Sequence, residues 1–268
     1  MCRAPPAALD RAAVAAHGES HMTGDAERPR VDFGQAADDY ARHRAGFPPS
    51  FFERVSLAGR VLDLGSGTGT LARGLAARGA WVVALDRSAA MLGRAPDLGC
   101  RVAARAEQCP LRAGSFDAVV AGQCWHWLDG PAAAREARRV LVPGGRLVIA
   151  HFDYLATESA AAADTEQLIL EQNPAWTMAG SDGRYERWRP HLEAGGFLDV
   201  ESRDWVEAVS YTHEAWRGRI RACNGVLALG DPARIAAFDL ALAGLLAARH
   251  ADPIVVAHRV FVLSGTAP

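Results

Sequence analysis

The stretch at residues 61–69, VLDLGSGTG, constrains the fold of this chain more than any other. Its first four residues are mostly apolar and predict a buried strand of a parallel sheet. Glycine stands at positions 65, 67 and 69, and glycine allows a positive φ and a close approach of a ligand to the backbone. We expect Thr68 or Thr70 to cap a helix directly behind this turn, so that free backbone N–H groups face a ligand. The stretch therefore predicts a nucleotide-type site.

Predicted strands and short predicted helices alternate along the chain, a pattern typical of a doubly wound α/β sheet. The predicted strands cover residues 61–64, 81–85, 100–105, 116–121, 146–151, 197–206 and 254–263. Pro143-Gly144-Gly145 predicts a tight turn before the fifth strand, and the last strand is expected to pair antiparallel with the sixth strand at the sheet edge. We predict a seven-stranded, mostly parallel, Rossmann-like sheet with an antiparallel last strand and a helical lid insertion.

The domain organisation predicted from the pattern is a tail followed by one domain. Residues 1–30 lack a sustained period, which favours a disordered tail or a tag. Residues 31–268 are expected to form the domain, with helical lid elements at 31–57, 155–195 and 211–250. A helix before the first strand either covers the sheet or closes over the ligand, and Ser50 is expected to cap the next helix, 51–57. Further helices are predicted at 158–171, 185–194, 212–229 and 232–249.

Composition argues against several classes of function. The formal net charge is −2, so nothing favours a nucleic-acid partner. No apolar run approaches the ~20 residues that a membrane span needs. The 5 cysteines are odd in number and show no CxxC spacing, which favours a reduced, cytoplasmic compartment and no metal site.

A carboxylate at the tip of the second strand is the next element of the predicted site. Asp86 follows the glycine turn by about twenty residues, the spacing at which such an acid meets a ribose diol. The alternative is that Asp86 only caps the helix behind it. A nicotinamide dehydrogenase is the nearest rival function, but its Gly-x-Gly-x-x-Gly fingerprint requires a third glycine where this chain has Thr70.

Five features together resemble the class I S-adenosylmethionine-dependent methyltransferases. They are VLDLGSGTG, Asp86, the segment from Ala106-Glu107 to Pro110-Leu111, SFDAVV at 115–120 and the Leu141-x-Pro143-Gly144-Gly145 turn. More narrowly, the chain looks like the type-11 small-molecule branch, and QCWHW at 123–127 is similar to trans-aconitate methyltransferase-like proteins. The resemblance runs from about residue 33 onward and implies S-adenosylmethionine as cofactor and methyl transfer to a small molecule. A non-methylating cyclase or scaffold protein of the same fold is the alternative.

The resemblance also implies roles for individual residues. Gly65, Ser66 and Gly67 would pack against the methionine part of the cofactor, while Asp63 would hold the turn or bind the amino group. Asp86 would take both ribose hydroxyls. The remaining implied contacts are Arg87 and Met91 beside the adenine, Ala106 and Glu107 at its edge, Gln123 beside the methionine part, and Tyr40 and Arg44 near the carboxylate. Arg105 departs from the family at a position where many relatives carry an acid, because arginine cannot accept a hydrogen bond.

The predicted chemistry is an in-line displacement, for which the enzyme mainly holds the acceptor ~3–3.5 Å from the methyl group. We expect oxygen as the accepting atom. A hydroxyl acceptor also loses a proton, and His126, just after the fourth strand, is the predicted base. The alternative is that His126 and its tryptophan neighbours only wall the pocket.

The acceptor pocket is expected to include side chains from several segments. Trp127, His151 and Tyr185 are the predicted lining residues, and Asp153 is expected at the same edge of the sheet as His151. Arg219 and Arg221 lie two apart on a predicted helix, about 200° around it, so at most one faces the pocket. An arginine there would favour an anionic acceptor such as a carboxylate, which it binds bidentately.

Overall fold

The structure is a computed structural model that describes residues 46–95 and 97–268. These residues form a 7-stranded sheet of order β3-β2-β1-β4-β5-β7-β6. Neighbours from β3 to β5 are parallel, and β7 is antiparallel to both β5 and β6. The strands are β1 Arg60–Leu64, β2 Trp81–Asp86, β3 Cys100–Ala103, β4 Phe116–Gly122, β5 Leu141–Tyr154, β6 Leu198–Tyr211 and β7 Ile254–Thr266. The predicted fold class is confirmed.

Helices cover both faces of the sheet because successive side chains of a buried strand point to opposite faces. Leu62 of β1 packs in one apolar cluster with Ala137, and its neighbour Val61 packs in another with Leu71. The described helices are α1 Pro49–Arg54, α2 Thr70–Ala76, α3 Ala89–Gly93, α4 Gly130–Val140, α5 Ala160–Gln172, α6 Arg189–Ala194, α7 His213–Arg221, α8 Asn224–Leu227 and α9 Pro232–Arg249.

A separate apolar cluster lies under the helices that follow β5 and β6. Trp216 of α7 is fully buried in it, and its indole N–H donates to the Thr165 hydroxyl of α5 over 3.0 Å. Phe238 and Leu242 of α9 and Val256 of β7 belong to the same cluster. The long β6 and β7 strands and helices α5 and α7–α9 thus form a packed unit beside the carboxyl end of the sheet. In the part of the chain that the structure describes, no helix has both the length and the apolar character to cross a membrane.

Two expectations about the strands are wrong in detail. Pro143-Gly144-Gly145 is not a turn before β5 but lies inside it, because its backbone pairs with residue 267. The Gly144 N–H donates to the Ala267 carbonyl over 2.9 Å, and the Ala267 N–H donates to Gly145 over 2.8 Å. The predicted antiparallel pairing of the last strand with the sixth at the sheet edge is confirmed, and β7 also pairs with β5 on its other side. Strand β3 also ends at Ala103, two residues earlier than predicted.

Two predicted helices are divided in the structure. Over 185–194, a 3₁₀ turn Glu186–Trp188 precedes α6, because Pro190 has no N–H to donate to Glu186 and its ring would clash with that carbonyl. Over 212–229, the chain breaks into α7 and α8. Gly225 of α8 packs so closely on Trp176 that a Cβ atom there would lie 2.9 Å from the indole.

The predicted cap of the first described helix is also wrong. Ser50 lies inside α1, whose N-cap is Pro48. The Ser50 hydroxyl instead donates to Glu207 over 2.5 Å and accepts from the indole N–H of Trp205 over 2.9 Å. It therefore ties α1 to the edge strand β6 rather than ending a helix.

Candidate functional site

The glycine turn after β1 is the centre of the candidate site. Gly65, Gly67 and Gly69 all have positive φ, at 61°, 57° and 78°, a conformation that side chains with a Cβ atom rarely adopt. Gly69 itself is the N-cap of α2, and no side chain caps that helix. The expectation that Thr68 or Thr70 is the cap is therefore wrong, because the left-handed glycine already starts the helix.

Buried polar atoms surround the turn without protein partners. Asp63 is 1% exposed. Its Oδ2, the Ser66 hydroxyl and the Thr68 hydroxyl are buried and have no hydrogen-bond partner among residues 46–95 and 97–268. Such groups cost free energy unless a ligand or water satisfies them. A ligand with an amino group and hydroxyls would supply the missing partners.

Asp86 lies at the end of β2, beside the glycine turn. Its Oδ2 accepts the Gly67 N–H over 2.9 Å, and its Oδ1 accepts the Ser88 N–H over 2.8 Å. The N-cap of α3 is Ser88, whose hydroxyl accepts the Met91 N–H. The carboxylate of Asp86 therefore bridges two loops at the carboxyl ends of adjacent parallel strands, the place where open α/β sheets bind ligands.

The other predicted cofactor residues differ in their surroundings. Arg87 is exposed, whereas Met91 and Ala106 are buried. The Glu107 carboxylate accepts the Asp129 N–H over 3.1 Å and contacts Arg105 at 3.4 Å. The Gln123 amide donates to the Phe152 carbonyl over 2.6 Å. Tyr40 and Arg44 lie outside the described residues.

His126 lies in a 3₁₀ turn, Trp125–Trp127, directly after β4. Its ring centroid is 4.7 Å from that of Trp127 and 5.6 Å from that of His151. Trp127 is 41% exposed, whereas Trp125 is buried and donates its indole N–H to His191 over 3.2 Å. The two tryptophans thus differ, and only Trp127 has surface left for a ligand.

The predicted pocket residues His151 and Tyr185 lie together beside His126. Their ring centroids are 4.2 Å apart, and Tyr185 stacks on Trp188 at 4.4 Å. Burial raises the pKa of Tyr185, whose hydroxyl donates to Asp153 over 2.7 Å. Asp153 Oδ2 is also 3.4 Å from His151 Nδ1. Asp153 therefore lies between the Tyr185 hydroxyl, which it accepts, and the His151 ring, whose two nitrogens have no hydrogen-bond partner among the described residues.

Arg219 and Arg221 have different surroundings. Arg221 pairs with Asp239 of α9 at 2.9 Å and with Glu214 at 3.4 Å. Arg219 lies with its guanidinium 5.3 Å from the Tyr154 ring centroid, and its Nε atom is buried with no hydrogen-bond partner in the described chain. Of the two arginines, Arg221 is thus held in ion pairs, whereas Arg219 has an Nε atom without a hydrogen-bond partner among the described residues.

Sequence reasoning missed the polar residues around Arg219. The Tyr211 hydroxyl lies 3.1 Å from His258 Nε2, and burial lowers the pKa of His258 to about 3. Burial raises the pKa of Tyr154 well above its usual range. Tyr154 and Tyr211 are the last residues of two long strands. A tyrosine at the end of a predicted strand was the sequence feature that could have indicated these residues.

A Cβ atom at Gly65 would lie 2.6 Å from Cys124 Cβ, so we expect Gly65→Ala to distort the turn. Gly114→Ala is the matched control, since its φ is 60° and a Cβ atom there meets nothing within 4 Å. Both variants bear the same backbone strain, but Gly65→Ala should be less stable by a further ~1–3 kcal/mol. It alone should weaken binding of S-adenosylhomocysteine. Urea unfolding and calorimetry would measure both effects, and equal results for the two variants would contradict the prediction.

Burial raises the pKa of Asp63 to about 7, which predicts a pH-dependent stability. The unfolded pKa is about 3.9, so the folded protein keeps the proton where the unfolded chain releases it. Without cofactor, the free energy of unfolding should therefore fall as the pH rises from about 4 to about 7, by roughly 2–4 kcal/mol. Urea unfolding across this window should show a flatter slope for Asp63→Asn. An unchanged slope would contradict the assignment to Asp63.

Comparisons of the sequence with protein families and with known proteins all match methyltransferases. The family described as "Methyltransferase domain" matches residues 62–149. An uncharacterized methyltransferase of Mycobacterium tuberculosis is 41% identical over 131 residues, which is 47% of this chain and 54% of the relative. The chain thus spans about half the length of that relative. A demethylmenaquinone methyltransferase of Mycolicibacterium vanbaalenii is 32% identical over 188 residues, 66% of this chain and 77% of the relative.

Solved structures share the fold. One from Anaeromyxobacter dehalogenans, described as a type II methyltransferase, has a TM-score of 0.58 at 23% identity and covers 83% of this chain and 97% of its own. A phosphoethanolamine N-methyltransferase of Haemonchus contortus, in complex with S-adenosyl-L-methionine, has a TM-score of 0.52 at 20% identity and covers 89% of this chain and 57% of its own. At these identities, the likeness shows the fold alone.

Proposed function

The chain belongs to the class I S-adenosylmethionine-dependent methyltransferases, and from this we propose that it methylates an oxygen atom of a small-molecule acceptor. The observation that carries the proposal is the position of His126, which follows the central strand β4 beside His151. A histidine there suits the removal of a hydroxyl proton near neutral pH. The relative named demethylmenaquinone methyltransferase supports a small-molecule acceptor. That the chain belongs with the trans-aconitate methyltransferase-like proteins stays a prediction.

The residues around the glycine turn fit the cofactor. Gly65 and Gly67 leave the turn without Cβ atoms, and the unpartnered oxygens of Asp63, Ser66 and Thr68 can meet polar groups of the methionine part. When bound, S-adenosylmethionine supplies an electrophilic methyl group on a charged sulfur. We assign the remaining cofactor contacts to Asp86, Arg87, Met91, Ala106, Glu107 and Gln123, and to Tyr40 and Arg44 outside the described part.

On the acceptor side, His126 is the proposed general base and Trp127, His151 and Tyr185 the proposed walls. Two observations support this assignment: the short distances between their rings, and their shared location at the carboxyl ends of β4 and β5. The buried rings of His151 and Tyr185 exclude water on their side of the pocket, which strengthens the electrostatic interactions there. We propose that residues 31–57, 155–195 and 211–250 serve as lid elements over this pocket, of which residues 31–45 lie outside the described part of the chain. The cysteine pattern makes the cytoplasm the proposed compartment.

A carboxylate acceptor is the second form of the proposal, and Arg219 favours it. Arg219 has no carboxylate partner among the described residues, whereas both neighbouring arginines of α7 pair with Asp239. The Arg219 Nε atom has no hydrogen-bond partner in the described residues, and a guanidinium matches a carboxylate in geometry and charge. In this form no proton needs to leave the acceptor, and His126 is only a wall.

Mass spectrometry of the full chain with S-adenosylmethionine and a panel of small acceptors tests the proposal. We expect S-adenosylhomocysteine to accumulate together with an acceptor that carries one added methyl group on oxygen. Methylation on carbon or nitrogen would overturn the proposed atom. Cofactor binding without any turnover across hydroxyl and carboxylate acceptors would favour a non-methylating cyclase or scaffold.

A further inference from the structure

The 3₁₀ turn that carries His126 is anchored in the protein by its first residue, Trp125. Trp125 is 1% exposed and belongs to the same apolar cluster as Ala133 of α4 and Leu192 of α6. Its indole N–H donates to Nδ1 of His191, in α6, over 3.2 Å. Because an indole nitrogen can only donate, Nδ1 of His191 is the unprotonated, accepting nitrogen. The bond links the turn after β4 to a helix residue that comes 66 positions later in the chain.

A glycine in α4 leaves the space that the imidazole of His191 occupies. A Cβ atom at Gly130 would lie 2.0 Å from His191 Nδ1 and 2.5 Å from its Cε1. Any larger residue at this position would therefore push the ring away from the indole. Gly130 is the first residue of α4, and glycine is usually less favourable in a helix than alanine. The close approach of α6 to the turn thus depends on a residue that helix formation alone does not favour.

Other bonds attach the residues just before this turn to the sheet. The Gln123 N–H donates to the Ala150 carbonyl over 2.9 Å, and the Gln123 amide donates to the Phe152 carbonyl over 2.6 Å. The Cys124 thiol donates to the Leu64 carbonyl over 3.0 Å. These bonds fix the entry to the turn on β5 and β1, beside the glycine turn. The bond between indole and imidazole fixes the turn itself from the side of α6.

We infer that His191 is a positioning residue for methyl transfer, because it fixes, through Trp125, the turn that carries His126. This inference rests on the proposed function, in which His126 is the base for a hydroxyl acceptor. His126 directly follows Trp125 in the turn, so a displaced indole moves the backbone that carries the base. A misplacement of about 1 Å can cost about 100-fold in rate. His191 does not act on the acceptor itself; its effect reaches the reaction through Trp125.

The bond requires an unprotonated Nδ1 on His191. Burial lowers the pKa of His191, whereas Asp129, the N-cap of α4, acts in the opposite direction. Protonation of Nδ1 at lower pH would remove the acceptor and break the bond to the indole. His126 is the titratable residue of the turn. The other charged residues of α4 and α6 are Arg135, Glu136, Arg138, Arg139, Arg189 and Glu193.

The first test uses ¹⁵N NMR of the full chain without cofactor or acceptor. We expect the indole N–H signal of Trp125 to move as the pH falls below about 6.5, the ordinary pKa of a histidine. His191→Gln should lose most of this movement, because its amide oxygen accepts a hydrogen bond but does not titrate. In His191→Phe, which has no acceptor, the ring signals of His126 and Trp127 should shift. In His191→Gln they should stay close to those of the unaltered chain.

Gly130→Ala tests the same bond without a change to either partner. Its Cβ atom would displace the imidazole of His191, so we expect the signal shifts of His191→Phe to appear in this variant as well. Gly244→Ala is the matched control. Gly244 lies in α9, and a Cβ atom there meets nothing within 4 Å, so the signals of the turn should not change.

The second test is kinetic. His191→Phe and Gly130→Ala should each lower kcat by about 10-fold or more, with the KM for the acceptor nearly unchanged. His191→Gln should recover part of the loss. Trp125→Phe removes the donor of the same bond, so adding His191→Phe to it should cost little more. Gly244→Ala should leave kcat unchanged.

Unchanged ring signals of His126 and Trp127 in both His191→Phe and Gly130→Ala overturn the inference, and so do fully additive losses in the double variant. If His191→Phe does not fold, Gly130→Ala and the pH titration of the unaltered chain carry the same measurements. Failure of the proposed function gives a different result, because the signals of the turn then shift as expected while no hydroxyl acceptor is methylated.

Discussion

His126→Ala should slow methyl transfer to a hydroxyl acceptor by about 10²–10⁴ in kcat, the range that general-base catalysis supplies. The ring lies 5.6 Å from His151 at the carboxyl end of β4, so its removal takes the proton acceptor out of the site. The KM for the acceptor should change little, because the base acts in the transition state. Single-turnover kinetics with saturating cofactor would measure the chemical step directly.

Trp127→Phe is the matched control for this change. It removes part of the exposed wall next to His126 but leaves the base, so it should raise KM more than it lowers kcat. A His126→Ala enzyme with kcat within about twofold of the unaltered enzyme would contradict the base role and leave His126 as a pocket wall.

Alanine variants of Arg219 and Arg221 distinguish a carboxylate acceptor from a hydroxyl acceptor. With a carboxylate acceptor, Arg219→Ala should raise KM sharply, whereas His126→Ala should have a mild effect. Arg221→Ala is the control, because Arg221 pairs with Asp239 and Glu214 and should mainly lower the stability of the packing between α7 and α9. Equal increases in KM for the two arginine variants would contradict the selective placement of Arg219.

Asp86→Ala should remove most of the affinity for S-adenosylhomocysteine, with a loss of about 100-fold or more. Each hydrogen bond to a charged group contributes about 1.5–3 kcal/mol, and two ribose hydroxyls would lose their partner. The change also leaves the Gly67 and Ser88 N–H groups without the carboxylate that now accepts them, so the glycine turn loses support as well.

Asp182→Ala provides the control for charge, since that carboxylate is exposed and pairs with Arg184 away from the turn. The affinity of the Asp182→Ala variant for S-adenosylhomocysteine should equal that of the unaltered chain. Retention of that affinity in Asp86→Ala would mean that Asp86 serves only the two loops that it bridges.

Local patterns in the sequence were sufficient to predict the parallel part of the sheet and the conformation of the glycine turn. Alternation of strands with short helices predicts the parallel part of the sheet, and glycines 65, 67 and 69 have the positive φ that their spacing indicates. The helix cap was wrong, because Gly69 itself starts α2 and makes a threonine cap unnecessary. The antiparallel pairing of β7 with β6 was predicted, but its second pairing, with β5, was not, since strand order depends on pairing between residues far apart in the sequence.

The contacts that define the acceptor side were beyond sequence reasoning for a similar reason. His151 and Asp153 are close in the chain, but the tyrosine that donates to Asp153 comes 32 residues later. Helical geometry predicts that the side chains of Arg219 and Arg221 point in different directions. It does not predict that Arg221 is the one that pairs with Asp239, because Asp239 lies 18 residues further along the chain. Periodicity carries no information about such long-range partners.

Isothermal titration of the full chain with S-adenosylhomocysteine tests the central claim most directly, because it needs no knowledge of the acceptor. A methyltransferase of this family should bind it saturably at one site per chain, and Asp86→Ala should abolish most of the heat. No detectable binding by a sample that unfolds cooperatively in urea would contradict the assignment of the glycine turn as the cofactor site.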